Sequence, residues 1–342
     1  YYLGNLYYDR YQYDEAGKLW EYSAGLKSSF PIVWRNLALV YYNKMNKPAE
    51  ARKAMEKAFS LAPESPRIFM ELDQLSKKLN MPVEKRLAKY EASRKVFMKR
   101  DDLIIEYVTL LNMTGKYQQA YDILMSHRFH PWEGGEGKAT TQYTISLISL
   151  ARQEMHKKRW DKARDYLHKA LVYPENLGEG KLEGCKDNHI NYYLGIIETK
   201  AGHKNEAKAY FDAAGQGTEE LAGVMYYNDQ PADMIYYQGL AKEKLGKHAE
   251  ANSKFYKLID YGEKHLSDHV KIGYFAVSLP DFQIFDADLD RKNHVYCLYL
   301  IGLGKLGLGD RAEAAGDFRE VLKEEASHQN AWRYLRECTG KI

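Results

Sequence analysis

Two stretches of the chain share the pattern P-x-x-x-G-E-G-K, at residues 131–138 and 174–181. We call them the twin loops. The side chains in them that could bind a ligand or take part in a reaction are Trp132, Glu133, Glu136, Lys138, Glu179 and Lys181. Carboxylates grouped in this way could hold a cation, bind sugar hydroxyls, or act as acid and base across a glycosidic bond. The alternative is a solvated turn in which the glycines supply positive φ angles.

Trp132 is the only one of the five tryptophans that lies in a glycine-rich stretch, outside the helical periodicity described below. An indole ring in such a loop could stack on a sugar, a peptide or another aromatic ligand. Large aromatic rings in ordered loops also bury themselves, so Trp132 could instead cover the end of a neighbouring helix pair. Both interpretations stay open.

Metal and phosphate sites fit the sequence poorly. The Gly-Lys of each twin loop lacks the earlier glycine and the following hydroxyl of a phosphate loop. Asp286, Asp288 and Asp290 alternate like the start of a calcium loop, but Arg291 stands where that loop requires glycine. His127 and His130 are spaced like a ligand pair, but His127 falls at a packing position of the repeat. We therefore expect no metal and no cofactor.

The composition is that of a folded protein of 342 residues with 45% hydrophobic residues and a net charge of +3. This balance gives no reason to expect nucleic acid or a membrane surface as partner. Three cysteines far apart in sequence indicate no disulfide framework, so a cytoplasmic location is expected. The chain begins with Tyr1 rather than Met, which suggests a fragment with further sequence upstream.

A small residue followed four positions later by a large apolar one recurs along the chain. Offsets of this kind place both residues on one face of a helix. Glycine or alanine also recurs twelve residues earlier, which favours close crossing of two antiparallel helices. Glycines five residues before the small position are expected to end the first helix in a left-handed cap. The clearest pairs are Ala16/Trp20, Ala51/Met55, Ala120/Leu124, Ala163/Leu167, Ala207/Phe211, Ala251/Phe255 and Ala314/Phe318.

This pattern resembles the tetratricopeptide repeat (TPR), best at Leu194-Gly195, Ala207, Phe211 and Ala214. The resemblance implies an all-α fold: a right-handed superhelical solenoid of about eight TPR-like helix pairs, ended by a closing helix at residues 329–338. Near residues 66–97 the repeat is degenerate, with Arg86 where alanine is expected. We expect looser packing in that pair.

The repeat lengthens along the chain. Successive small positions lie 34–35 residues apart up to Ala120 and 43 or more apart after it. We therefore divide one continuous solenoid into plain repeats at 1–127 and repeats with extended inter-repeat loops at 128–342. The insertions, near 128–138, 173–187, 215–232 and 262–292, should emerge at one edge as a rim. They could equally be neutral loops, since loop insertions cost little closure entropy.

The TPR resemblance also implies a concave groove lined by first helices. Tyr192, Tyr236 and Tyr299 occupy equivalent positions in three successive repeats and would line it. Alternatively, these rings pack between helices with their hydroxyls in water. Within the longest insertion, Phe282 lies in the non-helical stretch 278–286, which we expect to fold back on the array or to dock on another domain because exposed phenylalanines are unfavourable.

The sequence favours a non-catalytic scaffold that binds a protein, a peptide or its own upstream domain through the groove and the loop rim. The alternative is an accessory region whose loops help form a carbohydrate-binding or glycoside-cleaving site completed by a missing N-terminal domain. The twin loops resemble those of a bacterial group in which a TPR region follows a domain of unknown function. That resemblance implies a sugar-recognising, β-rich upstream module.

Overall fold

The computed structural model describes residues 1–26, 29–132, 134–185, 187–221, 230–270 and 284–340. Throughout these residues the regular structure is helical, and no strand occurs among them. The helices follow one another as eight pairs and a single last helix. The predicted all-α fold and its eight helix pairs are therefore confirmed for the described part of the chain.

The first four pairs are α1 (Tyr2–Asp9) with α2 (Tyr13–Gly25), α3 (Pro31–Asn43) with α4 (Pro48–Leu61), α5 (Pro66–Lys78) with α6 (Val83–Ala92) and its short extension α7 (Arg94–Phe97), and α8 (Asp101–Met113) with α9 (Tyr117–Ser126). The next four are α10 (Lys138–His156) with α11 (Trp160–Ala170), α12 (Asn188–Ala201) with α13 (Lys204–Ala214), α14 (Asp233–Lys244) with α15 (His248–His265), and α16 (Leu289–Gly307) with α17 (Arg311–Glu324). The last helix, α18 (Gln329–Cys338), has the bounds that the sequence predicts for the closing helix.

The chain forms two compact units. Unit 1 comprises Tyr1–Tyr107 together with Pro280–Ala287, and unit 2 comprises Val108–Leu279 together with Asp288–Ile342.

In four of the pairs, an aromatic ring of the second helix packs against a glycine of the first. A Cβ atom added at Gly195 would lie 2.6 Å from the Phe211 ring, and one at Gly239 would lie 2.4 Å from the Phe255 ring. Because these contacts leave no room for a side chain, the small position twelve residues before the repeat alanine is what allows the helices to cross closely. The repeat alanines themselves are buried.

The turns inside the pairs use the predicted glycine caps. Gly115, Gly202, Gly246 and Gly309 all have positive φ, between 74° and 94°. This left-handed conformation strains any residue with a Cβ atom, so glycine ends the first helix without that strain.

The small position of the degenerate pair is occupied by a charged side chain. Arg86 is buried and donates to both carboxylate oxygens of Asp73, at 2.8 and 2.6 Å, and to Glu106 at 2.6 Å. The Tyr90 hydroxyl donates to Asp73 at 3.0 Å. An ion-pair network therefore fills the space that the other pairs fill with a small residue. The charges of Arg86 and Lys77 outweigh the burial of Glu106 and lower its pKa to about 2.

The described end of the longest insertion folds back as predicted. Phe285 is 1% exposed and joins the apolar cluster of unit 1, with Ile284 packed beside it. Phe282 lies outside the described residues. Among the helices that are described, none combines the length and the apolar character needed to cross a bilayer.

Candidate functional site

The last helix, α18, lies across the first helices of several pairs in unit 2. All ten of its residues are buried or half-buried. Its side chains contact α8, α10, α14 and α16, each of which is the first helix of its pair. We call the surface that receives it the α18 groove; its hydrogen-bonding and aromatic residues are Met113, Gln142, Arg152, Asp233, Tyr236, Tyr237 and Tyr299.

Asp233, at the start of α14, is the polar centre of the α18 groove. It is buried and accepts hydrogen bonds from the Tyr299 hydroxyl at 2.5 Å and from the Tyr334 hydroxyl of α18 at 2.8 Å. Burial and then the charge of Asp233 raise the pKa of Tyr299, so its hydroxyl stays protonated as a donor at neutral pH. A buried carboxylate is thus stabilised by hydroxyl donors from both sides of the interface.

Arg333 of α18 binds the aromatic side of the groove. Its guanidinium hydrogen-bonds to the Tyr237 hydroxyl and lies over the Tyr237 ring, with 5.7 Å from Cζ to the ring centroid. The same guanidinium lies 4.9 Å from the centroid of the Tyr334 ring. Hydrogen bonding together with ring stacking is a mode available to arginine but not to lysine.

Glu337, one turn further along α18, is the acidic contact. It accepts a hydrogen bond and ion pair from Arg152 of α10 at 2.9 Å, and a longer hydrogen bond from the Tyr236 hydroxyl at 3.4 Å. Arg152 also lies over the Tyr193 ring, with 5.7 Å from Cζ to the centroid. The acidic Glu337 of α18 thus meets a basic side chain of the groove, and the basic Arg333 meets a hydroxyl oxygen and an aromatic ring.

The two ends of α18 are fixed by further polar contacts. Arg336 donates to the carbonyl oxygen of Met113, the last residue of α8, at 2.6 Å. A cation at this place satisfies an orphan carbonyl and complements the negative end of the helix dipole. At the other end, the side-chain amides of Gln329 and Gln142 bind each other, at 2.8 and 3.0 Å.

Two histidines are held in their neutral form near this interface. Burial, and then the positive charges of Arg333 and Lys181, lower the pKa of His189 to about 3. Burial also lowers the pKa of His328, whose Nδ1 accepts the hydrogen bond from the Ala331 amide that caps α18. Protonation of Nδ1 would remove that cap.

The structure brings the predicted groove tyrosines to one side of unit 2, but it does not leave them open. Tyr236 and Tyr299 are 2% and 3% exposed. Tyr334 of α18 packs on both of their rings. Tyr192 is half-buried against Tyr193 and Phe211.

The repeat pattern does not indicate a functional role for Asp233, Arg333 or Tyr334. The available signal was an unusually large number of hydrogen-bonding side chains on so short a closing helix.

The twin loops pack against each other. The Asn176 side-chain amide donates to the carbonyl oxygens of Leu124 and His127, at 2.7 and 2.8 Å, at the end of α9. The Phe129 amide donates to the Asn176 carbonyl at 2.7 Å. Gly178 has a φ of 79°, and a Cβ atom there would lie 2.7 Å from the Phe129 carbonyl oxygen. The second loop thus caps the helix that precedes the first.

Glu179 of the second twin loop binds the backbone of the first. Its carboxylate accepts from the Gly137 amide at 3.0 and 2.8 Å. Burial raises the pKa of Glu179, and the nearby charge of exposed Glu136 raises it further, against the lowering effect of the Gly137 hydrogen bond. Trp132 is half-buried, with its ring seated on Gly135.

The two lysines of the twin loops have different structural surroundings. Lys181 donates to the carbonyl of Leu171 at 2.9 Å and to both carboxylate oxygens of Asp187 at 2.7 Å. Its role in the structure is to tie the second loop to the start of α12. Lys138 is the first residue of α10 and is half-buried.

Glu133 lies outside the described residues, as does Phe282. In the part of the chain that is described, no group of three or more His, Cys, Asp and Glu residues could hold a metal ion.

No family model matches the chain. Among solved structures, a tetratricopeptide repeat protein from Parabacteroides merdae is 12% identical, with 86% of this chain and 93% of that chain covered and a TM-score of 0.39. Pseudomonas aeruginosa pilF is 15% identical over 68% of this chain and 91% of that one, with a TM-score of 0.36. Yeast Tom70 is 12% identical over 96% of this chain and 58% of that one, with a TM-score of 0.37. Similarities at this level carry no argument about function, and the TPR-like character of this chain rests on its own repeat, cap glycines and helix pairs.

Proposed function

We propose that this chain is a non-catalytic protein-interaction scaffold whose α18 groove receives a helix of a partner protein. The observation that supports this proposal is that the groove, which the first helices of several pairs line, already holds a helix, α18. The groove meets every charged residue of α18 from Arg333 to Glu337 with a hydrogen-bond acceptor, an aromatic ring or an opposite charge. Such a pattern is a recognition surface for a helix of defined polarity.

The specific contacts of α18 with the groove are largely polar. Most of them are hydrogen bonds in which one partner is charged, each with a net contribution of about 1.5–3 kcal/mol. Departure of α18 would expose the buried rings of Tyr236 and Tyr299, so a partner helix has to cover the same surface. A partner helix that carries Arg-Tyr with an acidic residue four positions after the arginine reproduces the Arg333, Tyr334 and Glu337 contacts.

The test uses the full chain with α18 weakened in place. Arg333→Ala with Tyr334→Ala removes the two central contacts, and a fluorescent peptide of residues 327–340 is then added in trans. We expect the double variant to bind this peptide at least about tenfold more tightly than the unaltered chain, because its own helix no longer competes at high effective concentration. Fluorescence anisotropy measures the affinity.

A matched control replaces the same residue types at exposed sites of unit 2, Arg319→Ala with Tyr256→Ala. This control should bind the peptide as weakly as the unaltered chain. If the Arg333/Tyr334 variant keeps its circular dichroism helicity and still binds no peptide, the groove is not a helix receptor and the proposal fails.

A second candidate function rests on the twin loops. The half-buried Trp132 ring belongs to the same loop as the exposed Glu136, which lies near Glu179 with its raised pKa, and aromatic rings beside carboxylates suit sugar binding. We propose the twin loops as the place where a carbohydrate would contact this chain, with Lys138 at its border. The groove proposal does not depend on it.

Glycan binding by the chain, measured by calorimetry, tests the second candidate. Trp132→Ala and Glu136→Gln should each reduce the affinity, whereas Glu175→Gln, at an exposed site of the second loop, should not. If the unaltered chain binds no glycan, or if all three variants bind equally, the twin loops have no carbohydrate role in this chain.

A further inference from the structure

A second internal contact in unit 1 has the form of peptide recognition. Its ligand-like part is Ile284-Phe285-Asp286, and its receptor part is the end of α3 with neighbouring residues of α2. The two parts are 241–243 residues apart in sequence where they hydrogen-bond. This contact lies in unit 1 and does not depend on the α18 groove of unit 2.

The backbone of the segment is held by one side chain. Asn43, the last residue of α3, donates from Nδ2 to the Ile284 carbonyl oxygen at 2.8 Å. Its Oδ1 accepts from the Asp286 amide at 2.9 Å. An amide that binds the carbonyl before a residue and the N–H after it fixes that residue in place whatever its side chain.

The residue between those two hydrogen bonds supplies the apolar contact. The Phe285 ring is 1% exposed and packs edge-to-face on Tyr42, with 5.2 Å between ring centroids and an interplanar angle of 80°. It belongs to the apolar cluster that α1 to α5 form in unit 1. The pocket therefore selects an aromatic side chain by burial.

The third contact selects charge. Lys44 Nζ lies 3.3 Å from the Asp286 carboxylate and 5.3 Å from the centroid of the Tyr13 ring. The Asp286 side chain is 64% exposed, against 29% for Lys44. This ion pair is at the rim, where it contributes to specificity and association more than to affinity.

We propose that Tyr13, Tyr42, Asn43 and Lys44 form a recognition site for an extended apolar–Phe–acidic peptide of a partner protein. Ile284-Phe285-Asp286 is then the chain's own ligand for this site, and a partner peptide of the same chemistry replaces it. We call these four receptor residues the Phe-Asp site.

The test frees the site and supplies the peptide separately. Phe285→Ala with Asp286→Ala in the full chain removes the two side-chain contacts of the internal ligand and so weakens it as a competitor, and the probe is a fluorescent peptide of Ile-Phe-Asp-Ala-Asp with glycine at both ends. We expect the freed chain to bind the probe at least about tenfold more tightly than the unaltered chain, in which the internal segment competes. A probe with Ala in place of Phe should not bind measurably.

Variants in the freed chain locate the binding. Asn43→Ala should reduce the affinity for the probe by about tenfold, as expected for the loss of two hydrogen bonds to the peptide backbone. Lys44→Ala should weaken it by a few-fold, and this difference should shrink at high salt. Lys18→Ala, which removes the same charge at an exposed site on α2, should have no effect.

Circular dichroism of each variant shows whether the fold is kept. A folded Phe285/Asp286 variant that does not bind the probe would overturn the proposal. Binding that Asn43→Ala leaves unchanged would overturn it as well, because the peptide would then lie elsewhere. The α18 peptide experiment uses different variants and a different probe, so either proposal can fail while the other stands.

Discussion

At the residue scale, Asp233 carries the largest share of specific contacts in the α18 groove. Its two carboxylate oxygens accept from a hydroxyl of the groove and a hydroxyl of α18. Hydrogen bonds to an ionised acceptor contribute more than neutral ones, about 1.5–3 kcal/mol each. The identity of this single residue therefore decides how firmly α18 is held.

We expect Asp233→Asn to lower the free energy of unfolding by about 1–3 kcal/mol, because a neutral amide accepts more weakly and brings an N–H group towards two donors. Urea unfolding measures this change, and hydrogen exchange of residues 329–338 should accelerate. Asp161→Asn removes the same charge where the side chain is 98% exposed, so it should change stability by less than about 0.5 kcal/mol. Equal effects of the two variants would contradict the central role of Asp233.

The half-buried His189 predicts a pH dependence. Its pKa in the folded chain is about 3, against an ordinary value of 6.5, so the unfolded chain binds more protons between these two pH values. The free energy of unfolding should then rise as pH increases from about 3 to about 6.5. The contribution of neutral His189 is fully present above that range and is lost as pH falls through it. His328, whose pKa burial also lowers, acts in the same direction.

Replacement of the histidine tests this assignment. His189→Gln should flatten the dependence of the unfolding free energy on pH below about 6.5, which urea titrations at several pH values measure. His156→Gln, at an exposed site, is the control for replacing a histidine. An unchanged slope in the His189 variant would show that other groups cause the acid sensitivity.

At the element scale, the glycines that face aromatic rings determine how closely two helices of a pair can approach. The sequence repeat predicts these positions, and the short Cβ distances at Gly195 and Gly239 give the physical reason. The same scale shows what the repeat cannot predict. α18 packs on α17, where its Tyr334 ring stacks on the repeat residue Phe318, and it also contacts polar groups on several first helices. The repeat does not predict those polar contacts.

We expect Gly239→Ala to destabilise the chain by about 1–3 kcal/mol, because the added methyl would lie 2.4 Å from the Phe255 ring and the pair must separate. Gly316→Ala, in the middle of α17 with no atom within 4 Å of the added Cβ, should instead stabilise by about 0.5–1 kcal/mol. Thermal unfolding distinguishes the two. Destabilisation of similar size in both variants would mean that helix crossing is not the cause.

At the scale of the whole molecule, contacts concentrate in two units, one of which includes the distant residues Pro280–Ala287. In repeat proteins stability is approximately a sum of local terms, so a disturbance in one unit need not spread through the chain. The division at residue 128 that insertion length indicates is a separate statement about loop size and stays a prediction.

We expect the effect of Gly239→Ala on hydrogen exchange to concentrate in unit 2. Exchange measured by mass spectrometry under native conditions should accelerate between Val108 and Cys338 more than between Tyr1 and Tyr107. Phe285→Ala is the reciprocal variant, because its ring packs in unit 1, and should accelerate exchange there. Uniform acceleration in both units would show that the chain opens as one cooperative body.

The sequence by itself determined the helix pairs, their glycine caps and the closing helix. These features depend on residues only a few positions to about twelve positions apart, and such local spacing is visible in one sequence. Even the adjacency of the twin loops follows from consecutive insertions in a regular array. The ligand roles predicted for Trp132, Glu136 and the groove tyrosines stay predictions.

Only the tertiary structure decided where the polar side chains find their partners. Tyr334 meets Asp233 across 101 residues, and Asn43 meets Ile284 across 241. Neither separation follows a repeat, and Arg86 shows that an ion-pair network can fill a position where periodicity calls for alanine. Hydrogen bonds and ion pairs depend on distances of a few ångströms between groups that chain topology brings together, and no periodic pattern encodes those distances.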